Sequence, residues 1–162
     1  EKLGPIYQQL GLAVSPDDCS LALRGLQTLS VRLDALERGT LQVARWLVDQ
    51  PIVSHVFHPA LPDCPGHDQW VRDWSGSGSV FSFTFAEQVA PEQVVTFLNA
   101  LAIFKIGLSW GGVNSLAVVY PGLDRPTQDF GGRIVRLNIG LETPTDLIAD
   151  LEDAMAVMAT TL

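Results

Sequence analysis

The stretch that decides the fold is Phe81-Ser82-Phe83-Thr84-Phe85, in the middle of a chain of 162 residues. Its aromatic residues alternate with hydroxyl-bearing ones, which is the two-residue period of a β-strand with one buried face. Three phenylalanines on one side of a strand need an apolar layer to cover them. The stretch therefore predicts a sheet whose aromatic face is packed against helices.

Further strands and helices are predicted on both sides of this segment. We expect strands at residues 53–58, 115–120 and 133–139, and helices at 68–74, at 91–102 and from 144 onward. The last two strands follow each other directly along the chain, which favours an antiparallel pair. The predicted fold class is α+β, with a small, mainly antiparallel sheet covered by helices on one face.

The N-terminal third carries a clear helix start at Ser15-Pro16-Asp17-Asp18. Serine caps free backbone N–H groups, proline suits the first helical position, and the acids favour the positive helix end. We predict one long helix or two in series over residues 16–49, with Gly39 as a candidate break. The expected organisation is a remnant of a preceding segment at 1–15, a connecting helix at 16–50 and an α+β domain at 51–162.

Composition excludes several classes of function. The formal net charge is −8, and an excess of acid repels nucleic-acid phosphates. No apolar run reaches the roughly 20 residues of a membrane span, and the first residues lack the pattern of a secretory signal. Two cysteines, Cys19 and Cys64, are too few for a disulfide scaffold, so both are predicted to be unpaired. We expect a soluble, cytoplasmic protein.

Gly107-Leu108-Ser109-Trp110-Gly111 matches the G-x-S-x-G pattern of serine hydrolases. That motif requires a helix directly after the serine, whereas a β-branched strand is predicted here. In α/β hydrolases the catalytic histidine also follows the serine, and all three histidines of this chain precede Ser109. We interpret the match as a chance one, and hydrolysis through Ser109 stays a weak alternative.

A second candidate cluster is His58, Cys64 and His67, which could ligate zinc. A structural zinc site usually has four ligands, and the sequence offers no evident fourth. We therefore predict no metal site and interpret the segment as a polar loop.

Arg136 occupies the middle of a predicted strand, Arg133-Ile134-Val135-Arg136-Leu137-Asn138-Ile139. The two-residue period places it on the opposite face from Val135 and Leu137. A lone cation there is costly unless it is paired. The residues leave two interpretations open: a structural ion pair or exposed edge arginine, and a guanidinium that binds a ligand carboxylate in a bidentate manner.

Segments along nearly the whole chain together resemble the Cys/Met-metabolism family of pyridoxal-phosphate (PLP) enzymes. The Ser109-Trp110-Gly111-Gly112 form is most similar to the cystathionine β-lyase branch of that family. The other matching segments are Leu23-Arg24-Gly25-Leu26-Gln27-Thr28-Leu29, His58-Pro59-Ala60-Leu61-Pro62 with Gly66-His67, Arg72-Asp73-Trp74 with Gly76-Ser77-Gly78, Phe81-Ser82-Phe83, Ser115-Leu116, Arg136-Leu137-Asn138-Ile139-Gly140-Leu141-Glu142 and Asp146-Leu147-Ile148-Ala149-Asp150-Leu151.

The resemblance implies the C-terminal domain of an aspartate-aminotransferase-type (fold type I) enzyme. It implies a parent that uses PLP to cleave cystathionine into homocysteine, pyruvate and ammonia, commonly as a homotetramer. Arg136 would bind the substrate α-carboxylate, and Ser109 and Trp110 would line the same pocket. Leu108 departs from the tyrosine typical of β-lyases, which puts the finer shape of the pocket and the substrate preference in doubt.

The resemblance also implies a lysine that holds PLP as a Schiff base, together with a PLP-binding domain. The chain has two lysines, Lys2 and Lys105, and neither stands at the position that the family uses. We expect the PLP-binding domain to be absent from this chain, no catalytic or cofactor-binding residue within it, and no turnover by it alone. The alternatives are a non-catalytic scaffold or assembly module of the same fold and another family member, a γ-synthase or γ-lyase.

Overall fold

A five-stranded sheet and six helices form within residues 3–122 and 129–160, the parts of the chain that the computed structural model describes. The strands are β1 (Val53–Phe57), β2 (Val80–Phe85), β3 (Lys105–Ile106), β4 (Leu116–Tyr120) and β5 (Ile134–Asn138). The helices are α1 (Leu3–Gln9), α2 (Pro16–Leu26), α3 (Leu29–Val48), α4 (His67–Asp73), α5 (Pro91–Ala100) and α6 (Pro144–Thr160).

The strands lie in the order β1-β2-β5-β4-β3. All neighbouring strands pair antiparallel except β3 and β4, which are parallel. The prediction of a mainly antiparallel α+β sheet is therefore confirmed. The short strand β3 was not predicted, because two residues carry no readable alternation.

The aromatic face of β2 is the centre of the core. Phe81, Phe83 and Phe85 are all buried, and Phe83 and Phe85 each contact the ring of Phe97 on α5 edge-on. On the neighbouring strand, Leu137 pairs with Phe81 and continues the same apolar surface. Apolar residues of α3, α5 and α6 complete this core, so helices cover the aromatic face as the alternation predicted.

The opposite face of the sheet is more polar and positions the candidate site. Arg136 on β5 pairs with Ser82 on one side and Val118 on the other, and its side chain is half-buried. Asn138 follows two residues later on the same face and is buried. Two polar side chains thus stand in succession on one side of β5.

The helix predicted over residues 16–49 is two helices in series, and the interruption falls at residues 27–28. Arg32 stabilises this turn, because its Nη2 donates to the Gly25 carbonyl oxygen at 2.8 Å and its Nε to Thr28 Oγ1 at 3.3 Å. Gly39 does not break α3. It is buried there, and a Cβ on it would lie 3.4 Å from the Pro144 ring. That is an ordinary contact distance, so the helix continues through Gly39 without requiring a glycine there.

The chain divides into two compact units, of which the first ends at Leu33 and the second begins at Asp34. The first unit contains α1 and α2, which have no buried residue among those described, and Ser15 Oγ caps α2 by accepting from Asp18 N. Helix α1 was not predicted, since its few apolar residues show no clear period. The second unit contains the sheet, α4, α5 and α6. No described helix is both long enough and apolar enough to span a membrane.

Candidate carboxylate-binding site

The guanidinium of Arg136 lies against the backbone that joins β3 to β4. Its Nη2 donates to the carbonyl oxygen of Leu108 at 2.6 Å and is 3.4 Å from that of Ser109. Tyr120 flanks the group on its own strand face, with the guanidinium carbon 5.8 Å from the ring centroid. Arg136 is therefore oriented by two carbonyls and one aromatic ring.

Residues 107–114 form a loop that we call the Trp110 bend. Gly111 adopts φ +76°, a left-handed conformation that glycine reaches without steric cost, and this allows the chain to reverse. Ser109 and Trp110 are exposed, and the indole side chain is 67% accessible. The three residues predicted for the pocket, Arg136, Ser109 and Trp110, thus lie together in the structure.

Asn138 holds the far half of the Trp110 bend. Its Oδ1 accepts from Gly111 N at 2.8 Å and from Ser79 Oγ at 2.9 Å, and its Nδ2 donates to the Asn114 carbonyl oxygen at 3.1 Å. The side chain is only 1% exposed. Asn138 therefore links the residue before β2 and the bend to β5.

Glu142 is hydrogen-bonded to the end of the bend, at the point where β4 begins. Its two carboxylate oxygens accept from Ser115 N and Ser115 Oγ, each at 2.8 Å, and Ser115 Oγ in turn accepts from Gly140 N at 2.8 Å. Leu141 N donates to the Val113 carbonyl oxygen at 2.9 Å. The segment after β5 and the end of the bend are thus joined by four hydrogen bonds.

No acidic side chain neutralises Arg136 among residues 3–122 and 129–160. The salt bridge found within these ranges joins Arg72 to Asp73, and both of those side chains are largely exposed. Two carbonyls orient a guanidinium but carry no full charge, so Arg136 keeps its positive charge for an anionic partner. Of the two interpretations left open by the sequence, a structural ion pair has no partner in the described part of the chain.

The hydrolase motif lacks the geometry of a nucleophile elbow. After Ser109 the chain continues through the bend into β4, without the helix that the elbow requires. The histidine hydrogen bonds found in the described segments go to other groups: His58 Nδ1 accepts from Ala60 N, and His67 Nδ1 is 2.8 Å from the Pro59 oxygen. No base is thus seen to activate Ser109.

The cluster considered for zinc likewise forms no ligand set. His58 is buried against the ring of Phe81, while Cys64 Sγ contacts the Pro65 carbonyl oxygen. Burial lowers the pKa of His58 and raises the pKa of the Cys64 thiol, which keeps both groups uncharged at neutral pH. In the described parts of the chain, no three His, Cys, Asp or Glu side chains are placed to share a metal ion.

Three polar residues that support the site were not singled out from the sequence. Asn138 and Glu142 hold the Trp110 bend, and Asp150 on α6 accepts from the backbone N–H groups of residues 102–104, just before β3. An asparagine within an apolar strand and an aspartate between Ala149 and Leu151 on an apolar helix were the available signals. Their partners lie 24 to 59 residues away, so spacing alone could not identify them.

The described residues do not fit a PLP site. The lysine within these segments, Lys105, is exposed, and its Nζ donates to the Ala102 carbonyl oxygen at 2.8 Å. Lys2, the other lysine, lies outside the described residues. A Schiff-base lysine requires a nitrogen enclosed beside the cofactor, whereas Lys105 is exposed as the first residue of the short strand β3.

Comparison with known proteins finds relatives along nearly the whole chain. The family model described as "Cys/Met metabolism PLP-dependent enzyme" matches residues 1–156. Cystathionine β-lyase of Bordetella avium is 44% identical over 159 residues, which are 96% of this chain and 40% of the relative. The Haemophilus influenzae cystathionine β-lyase is 39% identical over 152 residues, 88% of this chain and 38% of the relative.

A solved structure also matches. It concerns O-acetylhomoserine sulfhydrylase of Wolinella succinogenes, with a TM-score of 0.79 and 28% identity over 92% of this chain and 40% of that one. The chain thus spans about two fifths of the length of these proteins. With the family model covering nearly every residue, the chain belongs to the Cys/Met-metabolism family of PLP-dependent enzymes.

Proposed function

We propose that this chain is the C-terminal, substrate-carboxylate-binding part of a carbon–sulfur β-lyase that converts cystathionine into homocysteine, pyruvate and ammonia. Two relatives that match most of the chain carry the name cystathionine β-lyase, which supports this choice of substrate. In this proposal the remainder of the polypeptide provides the PLP site, and the intact protein is a homo-oligomer. The residues of this chain bind and orient the substrate.

One observation carries the proposal: Arg136 is fixed in direction but not neutralised. Its hydrogen bonds to the Leu108 and Ser109 carbonyls both use Nη2, so Nε and Nη1 have no partner among the described residues. A half-buried guanidinium with free N–H groups on Nε and Nη1 can bind a carboxylate through charge-assisted hydrogen bonds. Arg136 would therefore bind the α-carboxylate of an amino-acid substrate.

The Trp110 bend would form the wall of the pocket beside that carboxylate. An indole that is 67% exposed leaves a large apolar surface in water, and such surface is commonly used to contact a ligand. Ser109 lies one residue before it and offers a hydroxyl group for hydrogen bonding to a polar ligand. Arg136 would thus fix one end of the substrate while Trp110 excludes water from its side.

The nearest alternative within the family is a reaction at the γ-carbon or a sulfhydrylase. Two observations favour this alternative. A solved O-acetylhomoserine sulfhydrylase matches the chain, and Leu108 departs from the tyrosine of the β-lyase branch. The products of cystathionine distinguish the reactions by chemistry. Cleavage at the β-carbon yields homocysteine and pyruvate, whereas cleavage at the γ-carbon yields cysteine and 2-oxobutyrate.

The test uses the full-length protein that contains this chain, with cystathionine as substrate. Arg136→Ala removes the charge and should lower kcat/KM by about 100-fold or more, since a charge-assisted pair with the carboxylate is lost. Arg136→Lys keeps the charge but changes the donor geometry, and it should also lower kcat/KM. Arg133→Lys, at the residue just before β5, is the matched control and should retain activity. Unchanged kcat/KM in both Arg136 variants would refute the proposed role.

We further propose that the 162-residue chain does not turn over substrate by itself. Lys105 is a surface lysine bonded to a backbone carbonyl, so it has no environment that would favour a stable Schiff base. Mixing the chain with PLP should give no specific absorption band and no pyruvate from cystathionine. A yellow, active chain that loses both properties in Lys105→Ala would contradict this.

A further inference from the structure

Two successive side chains on one face of β5 form hydrogen bonds to the backbone of the Trp110 bend. Arg136 contacts its first half through the carbonyls of Leu108 and Ser109, and Asn138 contacts its second half through Gly111 N and the Asn114 oxygen. Residues two apart on a strand project from the same face about 7 Å apart. The strand thus supports the bend at two separate points.

The backbone partners fix the direction of the Asn138 amide. Gly111 N–H is a donor and must face the amide oxygen, while the Asn114 carbonyl is an acceptor and must face the NH2 group. A reversed amide would lose both contacts. Burial of the side chain at 1% exposure removes water as a competing partner, so the amide has one favourable orientation.

Leu141 and Glu142 also hold the residues on either side of Asn114, so the contribution of Asn138 is greatest at Gly111. Gly111 and Asn114 are exposed, and between them the chain passes through the conformationally permissive Gly111-Gly112 pair. Each glycine adds conformational freedom that must be lost before Trp110 can stand in one position. Asn138 removes part of that freedom before any ligand binds.

We propose that Asn138 is a positioning residue that pre-organises the Trp110 bend over Arg136, so that the carboxylate pocket exists before substrate arrives. This inference rests on the proposed function, because it assigns a role in the same pocket. Asn138 does not touch the substrate. It acts through the backbone of Gly111 and Asn114, and its loss should weaken ligand binding because the bend must then be ordered on binding.

Ser79 offers a matched control. Its hydroxyl donates to the same Asn138 oxygen from the position just before β2, and no hydrogen bond joins Ser79 to the bend in the described segments. Ser79→Ala therefore removes a buried hydrogen bond of Asn138 while the two bridging bonds to Gly111 and Asn114 remain. A purely structural role of Asn138 predicts similar behaviour of the Ser79 and Asn138 variants.

The experiment compares Asn138→Ala and Ser79→Ala in the full-length protein. For Asn138→Ala we expect about a five- to tenfold rise in KM for cystathionine with little change in kcat, since what is lost is pre-organised binding. The affinity for acetate, a minimal carboxylate probe, should fall by a similar factor. Ser79→Ala should leave KM and acetate affinity near those of the parent protein.

A spectroscopic readout tests the bend itself. With 5-fluorotryptophan incorporated, the Trp110 resonance, assigned through Trp110→Phe, should broaden or shift in Asn138→Ala and not in Ser79→Ala. If the alanine variant fails to fold, Asn138→Thr keeps a hydroxyl for Ser79 but lacks the amide that spans the bend, and the same changes are expected. An unaltered Trp110 signal and KM in a folded Asn138 variant would overturn the inference.

The two proposals fail in different ways. If Arg136→Ala leaves acetate affinity and kcat/KM unchanged, the proposed function is wrong whatever Asn138 does. If Arg136→Ala weakens binding while both folded Asn138 variants behave like the parent, the pocket is correct and the positioning role is refuted.

Discussion

Both carboxylate oxygens of Glu142 accept hydrogen bonds from a single residue, Ser115, one from its backbone N and one from its Oγ. Such bonds to a charged acceptor are stronger than neutral ones, and Ser115 is fully buried. We predict that Glu142→Ala lowers the free energy of unfolding by about 2–3 kcal/mol, because Ser115 N is left without its partner. Urea denaturation measures the loss.

The exposed Glu87, at the turn after β2, provides the comparison for that experiment. Glu87→Ala should change the free energy of unfolding by less than about 0.5 kcal/mol, as surface substitutions usually do. Equal effects of the two substitutions would mean that the Glu142 pairing contributes nothing.

Asp150 on α6 stabilises the turn between α5 and β3. Its carboxylate accepts from the backbone N of Ala102 at 2.7 Å, Ile103 at 2.9 Å and Phe104 at 3.1 Å, while only 8% of the residue is exposed. Asp150→Asn replaces one acceptor oxygen by an NH2 group that faces donors. We expect a loss of about 2–4 kcal/mol in thermal or urea unfolding, since buried backbone N–H groups lose their acceptor.

The control for this substitution lies one turn further along the same helix. Asp153 is exposed, so Asp153→Asn should leave the unfolding transition almost unchanged. The predicted difference between the two variants is contradicted if Asp150→Asn unfolds at the same urea concentration as Asp153→Asn.

Gly140 and Gly39 should respond in opposite ways to alanine. A Cβ on Gly140 would collide with the Glu142 carboxylate and with the backbone of Val113 and Asn114, so Gly140→Ala should cost about 2 kcal/mol or more and displace the bend. A Cβ on Gly39 would lie 3.4 Å from the Pro144 ring and 3.8 Å from Ile139 Cγ2, which are ordinary contact distances, and alanine favours helix over glycine by about 1 kcal/mol. Gly39→Ala is therefore expected to be neutral or stabilising in the same denaturation series.

His58 should make the stability of the fold depend on pH. Burial is the largest cause that lowers its pKa, Glu37 opposes the shift and Arg45 adds to it. The unfolded chain therefore takes up a proton first, near pH 6.5, and the contribution of His58 to stability is complete above that pH and declines as pH falls toward the folded-state pKa. The buried Nε2 of His58 has no hydrogen-bond partner in the described segments, so no acceptor there offsets the cost of burying a charged ring.

The measurement compares the parent chain with His58→Asn, which keeps an acceptor for Ala60 N. Between pH 7.5 and 5.5 the parent should lose up to about 1–2 kcal/mol more stability than the variant. His55→Gln, at an exposed histidine on β1, should follow the parent profile. Parallel profiles of the parent and His58→Asn would exclude a role for His58.

The elements with strong periodicity were predicted well from the sequence. The alternation around Phe83 gave a strand with the correct buried face, and the pattern after Pro144 gave helix α6, in which Leu147, Leu151, Ala154 and Met158 are buried. The end of α5 was placed two residues too late, at 102. The structure ends it at Ala100, because Asp150 binds the next backbone N–H groups from a distant helix.

The candidate site also contains residues that the sequence could identify and residues that it could not. Alternation along β5 places Arg136 on the face opposite Val135, and the family resemblance associates it with Ser109 and Trp110. The partners of Asn138 and Glu142 could not be read from spacing, since the bend approaches them only when β4 and β5 pair. The catalytic activity, the choice of cystathionine and the organisation into a remnant, a connecting helix and a domain stay predictions.

By itself, the sequence determined the local conformations and which side chains share a face, because the periods of strands and helices are properties of the nearby chain. Only the tertiary structure decided that Arg136 meets carbonyl oxygens rather than a carboxylate among the described residues, and that Asn138 and Glu142 support the Trp110 bend. Hydrogen bonds between residues 24 or more positions apart depend on how strands pair and helices pack, and no local pattern contains that information.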